Sequence, residues 1–176
     1  MSSGVVVMII RSIFSVFFFV FFLTGTALAN QHPGLPDGPV ILTISGKISV
    51  SNKGDSLVFD RTMLQSQKWT QFETPTAWTS GTPMFEGVLL RDLLKIAGAK
   101  GTRIVATALN DYAVTIPWSH IDEHPVLLAM KMNGKFMRVR DKGPIWIIYP
   151  MPSAKAAKGN PLNKYMVWQL DRLSIE

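Results

Sequence analysis

The chain contains no cysteine. That absence excludes a disulfide, a thiol nucleophile, a thiolate metal ligand and an iron–sulfur centre. It does not exclude export, because a domain of this size can bury an adequate core without crosslinks. Histidine is nearly missing too, with only His32, His120 and His124. A Ser/His/Asp triad would have to use His120 or His124, and no G-x-S-x-G turn accompanies either. No glycine-rich phosphate loop is present. His120-Ile-Asp-Glu-His124 spaces two imidazoles at i and i+4 beside Asp122 and Glu123, but Pro125 ends any helix there. A solvated loop is the favoured reading, and no metal site is expected. There is no internal repeat and no low-complexity segment after the N-terminal region, and there is no continuous basic stripe of the kind that follows nucleic acid.

What is present begins with a long apolar run. Arg11 precedes SIFSVFFFVFFLTGT, and Ala27-Leu28-Ala29 supplies the small residues a signal peptidase accepts. The expectation is a cleavable signal peptide at residues 1–29, a flexible Pro/Gly-rich mature N-terminus at 30–39 (it contains QHPGLPDGP), and a single domain at 40–176. Membrane contact is expected only through the signal peptide, with the mature chain in the periplasm or secreted. Arg11 is the only charged residue of the first 29, so cleavage leaves 17 basic against 12 acidic side chains, net +5. That balance points to a small anionic ligand or an acidic partner surface.

Val40 to Ile48 alternates as a strand, and SLVF is a second. Asp60 is placed to cap a short helix, RTMLQSQ. The stretch WTQFETPTAWTSGTP is extended and too broken for a helix. Leu89, Leu90, Leu93, Leu94 and Ala97 recur at helical spacing, and Gly98 is a natural stop. TRIVATAL and YAVTIP form a strand pair turning at Asn110-Asp111. VLLAMKM and KFMRV flank Asn133-Gly134, the strongest hairpin signal in the chain. IWIIYP is a buried strand, PSAKAAKGNPLNK a loop, and MVWQLDRLSIE a last alternating strand. About eight strands and two helices make an α+β domain dominated by mixed or antiparallel sheet.

The order of these pieces carries a resemblance. FEGVLLRDLLKIAG, DYAVTIP, LLAMKMNGKFM, GPIWIIYP and a terminal W-x-L follow one another as in the molybdopterin-binding domain of the sulfite oxidase family, from about Val40 to Ile175. More narrowly, the chain resembles small exported proteins built from that domain alone. The resemblance implies a sulfite-oxidase-like fold. In active members a pyranopterin–molybdenum cofactor is held by a cysteine from the extended segment that here reads TQFETPTAWTSG. Only Thr74, Thr76, Thr79 and Ser80 offer oxygen there, and a neutral hydroxyl is a harder, more basic donor than a thiol. Enzymes carrying this cofactor outside the membrane are usually exported folded through a twin-arginine signal, whereas Arg11 stands alone.

The same resemblance sets RVRDKG at the rim of the cofactor cleft, with SAKAAKGNPLNK facing it. Candidate ligand-binding residues are therefore Arg138, Arg140 and Lys142 on one side and Lys155 and Lys158 on the other. Strand alternation would put Arg138 and Arg140 on one face, where their forked donors suit carboxylate or phosphate. A charged, wet sheet edge is the competing reading. Asn110, Asp111 and Tyr112 sit at a hairpin tip, where Asn and Asp serve turn geometry; the resemblance adds Tyr112 as a cleft wall and Asp111 as the partner that orients an arginine. Of the five tryptophans, Trp146 and Trp168 are expected in the core. Trp78 is expected to line a pocket.

The resulting expectation is a domain that has lost its metal centre, binds no cofactor, and serves as a small-anion-binding or sensory, partner-docking module. The alternative is a molybdopterin-dependent oxidoreductase with an oxygen ligand to molybdenum. N-terminal sequencing of protein recovered from the periplasm is expected to begin at Asn30.

Overall fold

The structure is a computed structural model that describes residues 33–176, and the expected signal peptide falls outside the described residues. No helix among the described residues is long and apolar enough to cross a membrane. Among the described residues, ten strands and four short α-helices follow in chain order. The first sheet is built from β1 (Val40–Gly46), β2 (Leu57–Asp60), β5 (Arg103–Ala108), β6 (Ala113–Pro117) and β10 (Leu170–Ile175). Its order is β2-β1-β10-β5-β6, with β1 and β10 parallel and the other pairs antiparallel. The second comprises β3 (Trp69–Glu73), β4 (Met84–Leu89), β7 (Leu127–Met132), β8 (Lys135–Phe136) and β9 (Trp146–Ile148). Here β3, β4 and β7 run in order, and both β8 and β9 pair with β7. The expected α+β, mixed and antiparallel architecture is the one observed.

Alternation explains the first sheet. Leu42 and Ile44 of β1 and Ile104, Ala106 and Ala108 of β5 turn inward, and their neighbours do not. β9 is buried at every position, so its apolar residues run without alternation. Asp60 caps α1 (Arg61–Gln65), accepting the Met63 amide at 2.8 Å, and its second oxygen accepts from Gly38 N at 2.9 Å. Those amides hold its carboxyl below the usual carboxylate range. Helix α2 (Leu90–Ile96) packs Leu90, Leu93 and Leu94 into the core and ends before Gly98, whose φ of +58° is the left-handed conformation glycine accepts without strain.

Residues 33–39 carry no regular element; Asn52 Nδ2 donates to Gly34 O at 2.8 Å, and Asp60 accepts from Gly38 N. Other expectations are corrected. The second arm of the Asn133-Gly134 hairpin is two residues long, not five. It stops because Met137 turns into the core and the chain closes a 3-10 turn, Val139–Asp141. Asp141 N and Gly143 N both donate to Arg138 O, at 2.8 and 2.9 Å. Arg138 and Arg140 therefore do not share a strand face. The expected loop after β9 contains α4 (Ala154–Ala157) and a second 3-10 turn, Pro161–Tyr165, started by Asn160 Oδ1 accepting from Leu162 N at 2.9 Å.

Gly87 marks the closest approach of β4 to β7, at a bulge between Glu86 and Gly87. A Cβ there would meet Leu128 O at 2.0 Å and Ala129 Cα at 2.9 Å, and both are backbone atoms. Gly87→Ala is expected to destabilise the domain by about 2 kcal/mol or more, read as a lower urea midpoint.

Candidate functional site

Trp146 of β9 is fully buried and makes edge-to-face contact with Phe85 at 5.5 Å. Its indole N–H donates to Met166 O at 3.0 Å. Against it stand two further indoles, Trp78 at 6.1 Å and Trp168 at 6.4 Å, themselves 5.3 Å apart in T-shaped contact. Trp168 was expected in the core; it is 37% exposed. Gln169, held by Lys142 O and Val139 O, takes a φ of 55°, so the chain kinks there and β10 begins only at Leu170.

Trp78 and Trp168 form one wall of a cavity of about 350 Å³. Asn110 and Tyr112, from the turn between β5 and β6, line a second side, and Asn163 and Lys164 of the second 3-10 turn a third. The structure brings Trp78, Asn110 and Tyr112 to one cavity, without Arg138. Asn110 also serves its turn, since its Oδ1 accepts from Tyr112 N at 3.2 Å. Asp111, at φ 64°, pairs with Arg172 at 2.5 Å rather than with the basic hairpin. Arg138, Arg140 and Lys142 border a different concavity. Of these, only Lys142 approaches the indoles, its Nζ 5.5 Å from the Trp146 ring centre and 5.7 Å from that of Trp168. Lys155 and Lys158 are exposed and line neither. The lysine of that loop in the cavity wall is Lys164.

Sequence reasoning missed Asn163, Lys164 and Trp168. The Asn160-Pro161 pair was a signal for the first two, because Asn at a cap followed by Pro starts a helical turn. Asn163 Nδ2 donates to Ala157 O at 2.8 Å, and its Oδ1 is buried without a partner among the described residues. Buried amide oxygens are normally satisfied, so this one is an acceptor waiting for a donor.

Comparison with known proteins matches residues 60–158 to the oxidoreductase molybdopterin binding domain. The chain belongs to that family. Among solved structures, the sulfane dehydrogenase SoxCD from Paracoccus pantotrophus is similar at a TM-score of 0.58 and 22% identity. The alignment covers 76% of this chain and 37% of that one, and at such identity the likeness is one of fold. No curated protein matches the chain.

The family's name implies a molybdopterin group, so the donors on hand matter. In the segment before β4, Thr74 Oγ1 is buried and accepts from Met151 N at 2.7 Å. Thr76 Oγ1, also buried, lies 2.9 Å from Thr79 Oγ1 and accepts from Trp78 N at 3.2 Å. Thr79 Oγ1 in turn accepts from Thr76 N at 3.2 Å. Thr74 ties the segment to Met151, Thr76 and Thr79 hold the segment's own backbone, and the fourth hydroxyl, Ser80, is exposed. Neutral hydroxyls engaged in this way do not fit the place of a metal-holding thiolate. No group of three or more His, Asp or Glu side chains converges among the described residues.

A second cluster lies behind the cavity. The expected solvated loop is α3 (Ser119–Glu123), pinned by buried Ile121, and His120 Nδ1 lies 3.1 Å from Tyr149 Oη. The His120 ring packs at 4.7 Å on Tyr165 and 5.5 Å on His124. Burial, then the neighbouring His124 and Lys164, depress the His120 pKa below 6.5 against the opposing pull of Glu123, and burial pushes the Tyr149 phenol up. The folded state therefore binds fewer protons than the unfolded chain just below pH 6.5. His120's contribution is whole above that pH and declines as pH falls through 6.5 toward the folded value. Melting temperature is expected to fall between about pH 7.5 and about pH 5.5, and His120→Phe is expected to flatten part of that slope.

Proposed function

We propose that this chain is an exported recognition module that has lost the metal centre of its family. It binds a small organic anion with a planar apolar body in the tryptophan cavity, and it docks on a partner. The observation that carries this reading is the wall formed by Trp78 and Trp168, which are 40% and 37% exposed. A folded domain gains little from leaving two indoles open to water, whereas a flat ligand gains stacking area and displaces that water. Across the cavity, Lys164 supplies a cationic donor for the anion, while the unpartnered Asn163 oxygen is an acceptor that suits a hydroxyl or amine on the ligand body and not its carboxylate. Lys142 adds positive potential behind the indoles. Arg138 and Arg140 have no part in this cavity. The committed hydroxyls of Thr74, Thr76 and Thr79 support loss of the metal, as does the single arginine of the N-terminal segment. Family membership favours a second reading, a molybdopterin-dependent oxidoreductase with an oxygen ligand.

Two measurements separate these readings. Protein purified from the periplasm of its own host is expected to lack stoichiometric molybdenum and pterin, and finding both would establish the oxidoreductase. Titration with benzoate and phenylacetate is expected to change tryptophan emission, with the response lost in Trp78→Ala. Lys164→Gln is expected to weaken binding roughly tenfold, about 1.4 kcal/mol. Emission that stays flat across such acids, with no rise in melting temperature, overturns the anion reading.

A further inference from the structure

The basic turn ahead of β9 is not absorbed by the tryptophan cavity. Lys135, Arg138, Arg140 and Lys142 border a separate open concavity of about 820 Å³. Its one carboxylate, Asp141, is taken by Arg138 Nε at 2.6 Å. Among the described residues, Lys135, Arg140 and Lys142 have no carboxylate partner. Apolar surface lies among these charges: Phe136 is 37% and Val139 51% exposed. Arg61 and Lys131 stand over the Phe136 ring at 4.7 and 4.9 Å, so two further cations adjoin this partly exposed aromatic.

This face is also braced from behind. Gln169 N donates to Lys142 O at 2.9 Å, and Gln169 Nε2 donates to Val139 O at 2.7 Å. Lys142 and Gln169 both hold positive φ, 78° and 55°, a conformation that non-glycine residues keep only where their surroundings impose it. A turn held in this way loses little freedom on binding. β8 stands at the end of its sheet order, so its outer backbone has no strand partner.

We infer that this face docks an acidic, extended segment of a partner protein, one that carries apolar side chains among its carboxylates. This rests on reading the chain as a recognition module and assigns the docking half of that reading to a named surface. Charge complementarity sets the sign of the partner. The breadth of the concavity exceeds what one small anion fills, and the exposed Phe136 and Val139 call for apolar groups beside the charges. A concave face is ill suited to a flat lipid surface. The open edge of β8 offers backbone groups to an extended chain.

The test is fluorescence anisotropy of a short labelled Glu/Leu peptide with the full mature domain. Binding is expected to weaken with added salt and to fall roughly tenfold in Arg140→Glu. Phe136→Ser is expected to lower it further. Arg140→Glu alters an exposed side chain, so an unchanged melting temperature is expected with its loss of binding; Phe136→Ser also removes ring contacts with Trp69, Arg61 and Lys131, so a lower melting temperature is expected with it and Arg140→Glu carries the test. Trp78→Ala is expected to leave peptide binding intact, so failure here with the tryptophan response preserved refutes the docking face and not the cavity. Equal binding of a Gln/Leu peptide, or no change with Arg140→Glu, overturns the proposal. So does stronger retention on anionic phospholipid vesicles that the same variants abolish.

Discussion

The site depends on one buried ring. Trp146 fills the core between β7 and the segment that leads into β10, and its indole N–H reaches the Met166 carbonyl at 3.0 Å. Two backbone bonds run beside that link: Ile147 N to Val167 O and Leu170 N to Ile145 O, both 2.9 Å. Together they fasten the last strand of one sheet to β9 of the other. Trp168 is carried in the fastened segment, and Trp78 rests on the same ring. Without an aromatic of this size at position 146, neither indole has a surface to stand against, and the cavity loses its wall. A buried indole also needs a partner for its single donor, and Met166 supplies it at the place where the chain must turn into β10.

In the segment before β4 the buried hydroxyls are all engaged. Thr74 binds the Met151 amide across 77 positions of sequence, and Thr76 and Thr79 bind one another and the local backbone. Each hydroxyl is spent on holding chain to chain. The result is an ordered loop that presents Trp78 to the cavity and no soft ligand. The likeness to the sulfane dehydrogenase covers 37% of that chain.

Much of the fold was legible because period and punctuation agreed. β1 and β5 alternate, α2 repeats at helical spacing and ends near Gly98, and Asp60 caps α1 as its position suggested. The failures share a cause. KFMRV looked like a strand because its residues suit one, but Met137 is buried and the backbone beyond it folds onto Arg138 O. VWQL looked like the start of a strand because it is apolar, but Gln169 sits at φ 55° to reach Lys142 and Val139. In both cases long-range contacts overrode local preference. His120 was likewise assigned to water because Tyr149, its hydrogen-bond partner, lies 29 residues away.

By itself the sequence determined the absence of thiolate ligands, the α+β class, the order of elements and a candidate set in which Trp78, Asn110 and Tyr112 stood beside Asp111, Arg138, Arg140, Lys142, Lys155 and Lys158. Those properties follow from residue types, periodicity and the motifs that run in order along the chain. Only the tertiary structure decided which cations stand where. It moved Arg138 and Arg140 to a face of their own, tied Asp111 to Arg172, and put Lys164 rather than Lys155 or Lys158 in the cavity wall. Charges distant in sequence become neighbours only when strands pair and turns close. A side chain's direction is set by the backbone dihedrals of its own turn, and in this protein long-range hydrogen bonds fix those dihedrals.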